Sequence, residues 1–179
     1  MNVPLVLDHD ITAVVEVVLE RTISFMRDEL GMSVRGVDRY EGRAECLRLR
    51  DITAVVGVGS KAGLYVVFSY DDQLIRAMMK RYTADLEISP DEEVLYVQET
   101  AADIVNIIVG NCTADLSRRP EPVSLSPPVV MVGARTISGS PGATAAALTL
   151  RLAEGRLDLA FVGPKVMFDE RLNFLGEEQ

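Results

Sequence analysis

Residues 89–116 read SPDEEVLYVQETAADIVNIIVGNCTADL. Ser89 is a good helix N-cap, Pro90 suits the first helical position, and Glu92 lies three residues after the cap. Apolar residues then recur at helical spacing until residues 117–120 break the pattern. The sequence therefore predicts one long helix over this stretch.

The segments on either side of the long helix predict a mixed α/β (α+β) fold. Periodicity indicates a first amphipathic helix from about residue 10 to 30, capped by Asp8 or Asp10, and a shorter helix that begins at Asp71 or Asp72. Strand patterns lie at 33–37, 46–58, 64–69, 129–132, 143–153 and 156–162, with turns at 59–63 and 154–155 and a loop at 133–142. This order favours an antiparallel mixed sheet with the helices packed on one face.

No composition shift, linker or internal repeat divides the chain. We therefore expect one domain over residues 1–179, with a core at about 5–164. The tail at 165–179 is expected to trail over the surface or to contact a partner chain. The strands between residues 143 and 162 are expected to join a second copy at a sheet edge, forming a homodimer, with a monomer as the alternative.

Charge and composition exclude several function classes. The net charge is −9, so a phosphate backbone or an anionic membrane surface would repel the chain. No apolar run is long enough to span a bilayer, and the N-terminus lacks the basic region of a signal peptide. We expect a cytoplasmic protein with no nucleic-acid or membrane partner.

The few cysteine and histidine residues make a metal site of the protein's own improbable. Cys46 and Cys112 form no C-x-x-C pair and are expected to be buried free thiols, and His9 is the one histidine. A Gly-rich run near Gly57 does not lead from a strand into a helix, so a dinucleotide-binding enzyme lacks support.

A polar stripe runs along the predicted long helix. Glu99, Asp103, Asn106 and Gly110 are spaced by four, three and four residues, which places them in one narrow line opposite an apolar face. Any surface helix shows such a stripe. However, Asn and Gly both disfavour the interior of a helix, so a well-capped helix has no local reason to carry them on one line. We interpret Gly110 as a flat patch that lets another protein approach.

The segment from Glu99 to Asn111 resembles the signature helix of the CheX/CheC/FliY phosphatases. That signature is an acidic residue or Ser, three residues, Glu, two residues, Asn, and then a short apolar run that ends in Gly-Asn. Residues 55–69 resemble the glycine-punctuated hairpin of the family, and residues 128–133 resemble the strand after its long helix. The resemblance implies the CheC-like fold.

The resemblance implies a hydrolase that acts on the aspartyl phosphate of a CheY-like response regulator. Asn106 would position the attacking water, and Asp103 would dock to the regulator's lysine. Glu99 would be an accessory contact, whereas Gly110 and Asn111 would shape or brace the helix, with Asn111 packed toward the sheet. The regulator would supply Mg²⁺, so no cofactor of the protein's own is implied.

Two features of the motif refine this expectation. The family's Glu is Asp103 here, which is one methylene shorter. That departure keeps open a non-catalytic regulator-binding or scaffold module of the same fold, as in FliM. The first helix offers Glu16 and Glu20 but no Asn three residues further on, so a single motif favours CheX, with one site, over CheC, with two.

Overall fold

The computed structural model describes residues 11–42, 46–59, 63–116, 124–138 and 142–164. Within them lie three helices, α1 Ile11–Asp28, α2 Asp72–Tyr82 and α3 Glu93–Leu116. The eight strands are β1 Gly36–Gly42, β2 Leu47–Arg48, β3 Ile52–Val58, β4 Leu64–Tyr70, β5 Val129–Val132, β6 Thr136–Ile137, β7 Ala143–Arg151 and β8 Arg156–Pro164. The expected caps at Asp8 or Asp10 and the tail at 165–179 lie outside the described residues.

Six of the strands form one antiparallel sheet in the order β1-β7-β8-β4-β3-β5, and β2 pairs with β6 in a separate two-stranded sheet. The predicted hairpins are confirmed, since β3 pairs with β4 and β7 with β8. The β7–β8 turn requires Gly155, which has φ +147 and where a Cβ would lie 3.1 Å from Leu74 Cβ.

The sheet buries one face against the helices. Along β3, β4 and β8, alternate side chains such as Val56, Phe68 and Leu159 belong to the same buried cluster as Val15 of α1 and Ile104 of α3. This arrangement confirms the predicted antiparallel sheet with helices packed on one face. Among the described residues, no helix is long and apolar enough to cross a membrane.

The predicted edge role of residues 143–162 is wrong. Both β7 and β8 lie inside the sheet with a neighbour on each side, and the edges are β1 and β5. The β1 strand also begins at Gly36, later than predicted. Among the described strands it pairs with β7 alone, and an edge strand tolerates the polar residues that hid its pattern.

The predicted continuous strand over residues 46–58 is interrupted between β2 and β3. There, Arg50 turns its guanidinium toward Asp71 and Asp158, while the Leu49 N–H donates to the Arg135 carbonyl at 2.9 Å. The β2 strand therefore leaves the main sheet and pairs with β6, inside a segment predicted to be loop. Cys46 precedes this short strand and is exposed, contrary to the expectation that both thiols are buried.

The predicted cap of α3 is present, one turn before the residue at which the helix begins. The Ser89 N–H and hydroxyl both donate to Glu92 Oε2, at 3.3 and 2.7 Å. Residues 90–92 form a turn, and the helix proper begins at Glu93. This start fixes the register of every side chain along α3.

Candidate functional site

The site predicted from sequence is an exposed line on α3. Glu99, Asp103 and Asn106 are all exposed, while Ile104 and Ile108 on the opposite side are buried in the core. We call Glu99, Asp103, Asn106 and Gly110 the α3 ridge. The structure thus places both predicted catalytic groups on one open helical face, with the first acid one turn before them.

Gly110 leaves an open space at the end of the ridge. A Cβ built on Gly110 would meet no heavy atom within 4 Å apart from its own helix backbone and chain neighbours. The Gly110 carbonyl accepts a hydrogen bond from Thr113 Oγ1 at 2.7 Å, and the helix continues past the glycine to Leu116. Packing against the described part of the fold therefore does not demand a glycine at this position.

Asn111 does not pack toward the sheet as the sequence predicts, because its side chain is exposed. Its angular position on α3 is close to that of Thr100 and Ile104, which are buried. Asn111 lies two turns further along the axis than Ile104, and its chain neighbour Cys112 is still buried. Angular position alone therefore gave the wrong burial for this residue, and it stands beside the ridge.

Tyr82 is a neighbour of the ridge that the sequence did not single out. Its spacing groups it with the apolar side of α2, where Leu74, Ile75 and Met78 are buried, but Tyr82 is 38% exposed. Partial burial raises the pKa of Tyr82, and the Asp103 carboxylate raises it further. Tyr82 is the last residue of α2, and it lies close enough to Asp103 to be affected by its charge.

Two apolar side chains of α3 are also exposed near the ridge. Leu95 is 54% exposed one turn before Glu99, and Ile107 is 37% exposed one turn after Asp103. The helical spacing that placed the polar residues could have identified both of them. The ridge is therefore an acid and amide line with apolar side chains along it.

The first helix carries no comparable site. Arg39 Nη1 and Nη2 donate to Glu16 Oε1 and Oε2 at 2.6 and 3.1 Å, so this acid is paired within the fold. Ile23, three residues after Glu20, occupies the position where the motif would need an Asn. In addition, the part of the chain that the structure describes has no cluster of His, Cys, Asp and Glu able to hold a metal ion.

A family model described as chemotaxis phosphatase CheX matches residues 52–149, which is more than half of the 179 residues. The chain belongs to the CheX family. The CheX match runs from β3 into β7 and includes all of α3, so the motif from Glu99 to Asn111 lies within it. The expected family is thereby confirmed. No curated protein matches the chain.

Solved structures show the same fold at low sequence identity. CheX from Desulfovibrio desulfuricans is 18% identical, with a TM-score of 0.71 over 84% of this chain and 98% of that one. A CheC-like superfamily protein from Shewanella sp. PV-4 is 16% identical, with a TM-score of 0.69 over 85% and 97%. CheX of Borrelia burgdorferi, crystallised in a complex with CheY, BeF₃ and Mg²⁺, is 17% identical, with a TM-score of 0.64 over 83% and 96%.

Proposed function

We propose that this CheX-family chain dephosphorylates the aspartyl phosphate of a CheY-like response regulator. The observation that carries the proposal is that Asp103 and Asn106 are exposed together on α3. The Borrelia relative was crystallised with CheY, BeF₃ and Mg²⁺, which supports the partner class. The exposed α3 ridge is the surface that would enter the regulator's phosphorylation pocket.

Asn106 is the group that positions the attacking water. The water oxygen attacks phosphorus, the bond to the aspartyl carboxylate breaks, and its electron pair leaves with that carboxylate. The products are inorganic phosphate and the free aspartate, and the protons of the water pass to phosphate and solvent. A carboxamide accepts and donates hydrogen bonds without being ionised, so it holds water without adding negative charge beside the phosphoryl group.

Asp103 is the docking group, and it pairs with a lysine of the regulator. Its carboxylate is one methylene shorter than the family's Glu, so the two proteins must approach more closely. The open space over Gly110 permits that approach. Glu99 supplies a second acid one turn away, and the exposed Asn111 offers an accessory contact at the end of the ridge. The acid pair therefore steers and registers the regulator, while the amide acts on the water.

Magnesium belongs to the regulator in this scheme, together with the lysine. The chain then supplies positioning and charge, which is what phosphoryl transfer from a reactive acyl phosphate requires. We propose that the reaction occurs in the cytoplasm, where such regulators act. A homodimer remains a prediction that light scattering can check, and the edges open to a second copy are β1 and β5.

The test replaces the amide and follows loss of the acyl phosphate from a cognate regulator. Asn106→Ala is expected to reduce the accelerated rate by about 100-fold, since mispositioning of a reactant costs this order. Gln98→Ala is the matched control, because Gln98 is a carboxamide of the same helix that lines the groove beside Ile52 and Val132 instead.

Two results would overturn the assignment. An Asn106→Ala variant as fast as wild type would remove the role of the amide. A wild-type chain that binds the phosphorylated regulator without faster phosphate loss would identify a non-catalytic binding module of the same fold.

A further inference from the structure

Exposed apolar side chains concentrate on the part of the molecule that carries the ridge. Of the eight large apolar side chains that are exposed among the described residues, five lie on the end of α2, the α2–α3 connection or α3. They are Tyr82, Leu86, Val94, Leu95 and Ile107. A single exposed leucine needs no explanation, but Leu95 and Ile107 lie along the ridge itself, which points to a surface there that another protein covers.

Leu95 is in register with the amide of the ridge. It precedes Asn106 by eleven residues, which is three helical turns with a residual rotation of about 20°. The two positions therefore face the same way, about 16 Å apart along the axis. Val94, its neighbour in the chain, turns about 100° away and lines the groove beside Ile52 and Val132.

We propose that Leu95 is a docking contact for the regulator outside its phosphorylation pocket, a specificity-determining residue of the proposed reaction. This inference rests on the proposed function. A specific protein interface covers about 800 Å² on each partner, which is a patch about 30 Å across. A patch of that size centred on Asn106 extends about 15 Å from it, so Leu95, about 16 Å away along the axis, lies at the edge of the surface that the regulator covers.

The chemistry of the surface also fits this occupant. The exposed acids Glu99 and Asp103 lie between Leu95 and Asn106 along α3. The whole chain carries a net charge of −9. A partner must present a basic group to the acids and an apolar patch to Leu95, which lies one helical turn before Glu99. A regulator that offers its lysine at the pocket meets the first requirement, and Leu95 selects among regulators by the second.

The experiment compares Leu95→Ser with Val94→Ser in steady-state dephosphorylation of a cognate CheY-like regulator. The two side chains are 54% and 56% exposed, so both changes affect folding alike, which thermal unfolding verifies. Leu95→Ser is expected to raise KM severalfold, because an apolar contact at the edge of an interface contributes less than one at its centre. It should leave kcat within about twofold, because Leu95 is too far from the water to act on chemistry. Val94→Ser should change neither constant.

A second measurement separates this inference from the proposed function. Each variant is titrated with the regulator held in its active form by beryllofluoride and Mg²⁺. Weaker binding by Leu95→Ser than by Val94→Ser supports the contact even if wild type proves not to speed phosphate loss, a result that would overturn the proposed function alone. Equal KM and affinity for the two variants, in an active wild-type background, would overturn the contact and leave the proposed function standing.

Discussion

Asp103 is the residue at which this chain departs from the family motif. Its shorter side chain allows the effect of side-chain length on binding of the regulator to be measured. We expect Asp103→Ala to raise KM by about tenfold or more, because a charged hydrogen bond to the regulator's lysine contributes about 1.5–3 kcal/mol. Asp103→Glu should keep or lower KM, since it restores the missing methylene. Steady-state kinetics with a cognate regulator give both values.

The paired variants make the docking role specific. If Asp103→Glu is as damaging as Asp103→Ala, the carboxylate does not act by reaching a partner lysine. Raising the salt concentration should reduce the difference in KM between wild type and Asp103→Ala, because the interaction is electrostatic and solvent-accessible.

The hydroxyl of Tyr70 is a buried polar group that is unsatisfied within the described part of the chain. Its side chain is fully buried, and no hydrogen-bond partner for its hydroxyl lies among the described residues. Burial raises the pKa of Tyr70, so the hydroxyl stays neutral. Tyr70→Phe should increase the free energy of unfolding by about 1 kcal/mol, because it removes an unsatisfied buried group.

Urea unfolding of Tyr70→Phe measures this gain. Tyr65→Phe is the control, since the Tyr65 side chain is 50% exposed and loses no buried group. A destabilised Tyr70→Phe protein would mean that the hydroxyl is satisfied and contributes to the core.

At the scale of the helix, Gly110 lowers the stability of α3 but leaves room for the proposed partner. Gly inside a helix costs about 1 kcal/mol relative to Ala, and a Cβ at this position would meet no neighbouring atom of the fold. Gly110→Ala should therefore raise the free energy of unfolding by about 1 kcal/mol. The same methyl group would obstruct the regulator, so KM should rise severalfold.

Thermal unfolding and dephosphorylation kinetics, measured on one preparation, check both parts. A more stable variant with unchanged KM would show that no partner approaches Gly110 closely. A less stable variant would mean that the helix cannot accommodate the methyl group.

The ridge was predictable because the information that builds it is local. Glu99, Asp103 and Asn106 belong to one helix, and helical spacing alone sets them on one face. The sequence failed where burial depends on distant elements. Asn111 is exposed although its angular position matches that of buried Ile104. Tyr82, the last residue of α2, is exposed although its spacing groups it with buried residues.

The interruption after β2 was invisible for the same reason. Arg50 pairs with Asp71 and Asp158, which follow it by 21 and 108 residues. No local pattern reports partners so far along the chain. The strand content was predictable from residue types, whereas the break and the β2–β6 pairing depend on long-range charge pairs.

Arg50, Asp71 and Asp158 connect distant parts of the whole molecule. Arg50 Nη1 donates to Asp71 Oδ1 at 2.8 Å, and Nε lies 2.7 Å from Asp158 Oδ2 without the alignment of a hydrogen bond. Burial would raise the pKa of Asp71, but hydrogen bonds from the Arg50 side chain and the Arg156 backbone outweigh it and hold the pKa below its usual value. The charged form of Asp71 is thus stabilised by folding.

A stability loss in acid follows from that direction. A group whose pKa is lowered by folding contributes stability above its unfolded value of about 3.9, and the contribution disappears as pH falls through the folded value. Asp71→Asn should be about 1–2 kcal/mol less stable than wild type at pH 7, and the difference should shrink below about pH 4.

Urea unfolding from pH 7 to pH 3 measures the difference. Asp85→Asn, at an exposed position in the α2–α3 connection, is the control and should match wild type at pH 7. If the difference in free energy of unfolding between wild type and Asp71→Asn is the same at pH 3 as at pH 7, the charge of Asp71 is not the source of its contribution to stability.

Since every proposed contact is carried by one uninterrupted helix, the site depends on the length of α3 as well as on its residue types. One residue inserted between Asp103 and Asn106 would turn all that follows by about 100° and move the amide away from the acids. Seven inserted residues would restore the facing to within about 20°, yet push the amide about 10 Å further along the axis. Insertions and deletions should therefore be accepted in the loops of this chain, whereas the number of residues from Leu95 to Gly110 must stay constant.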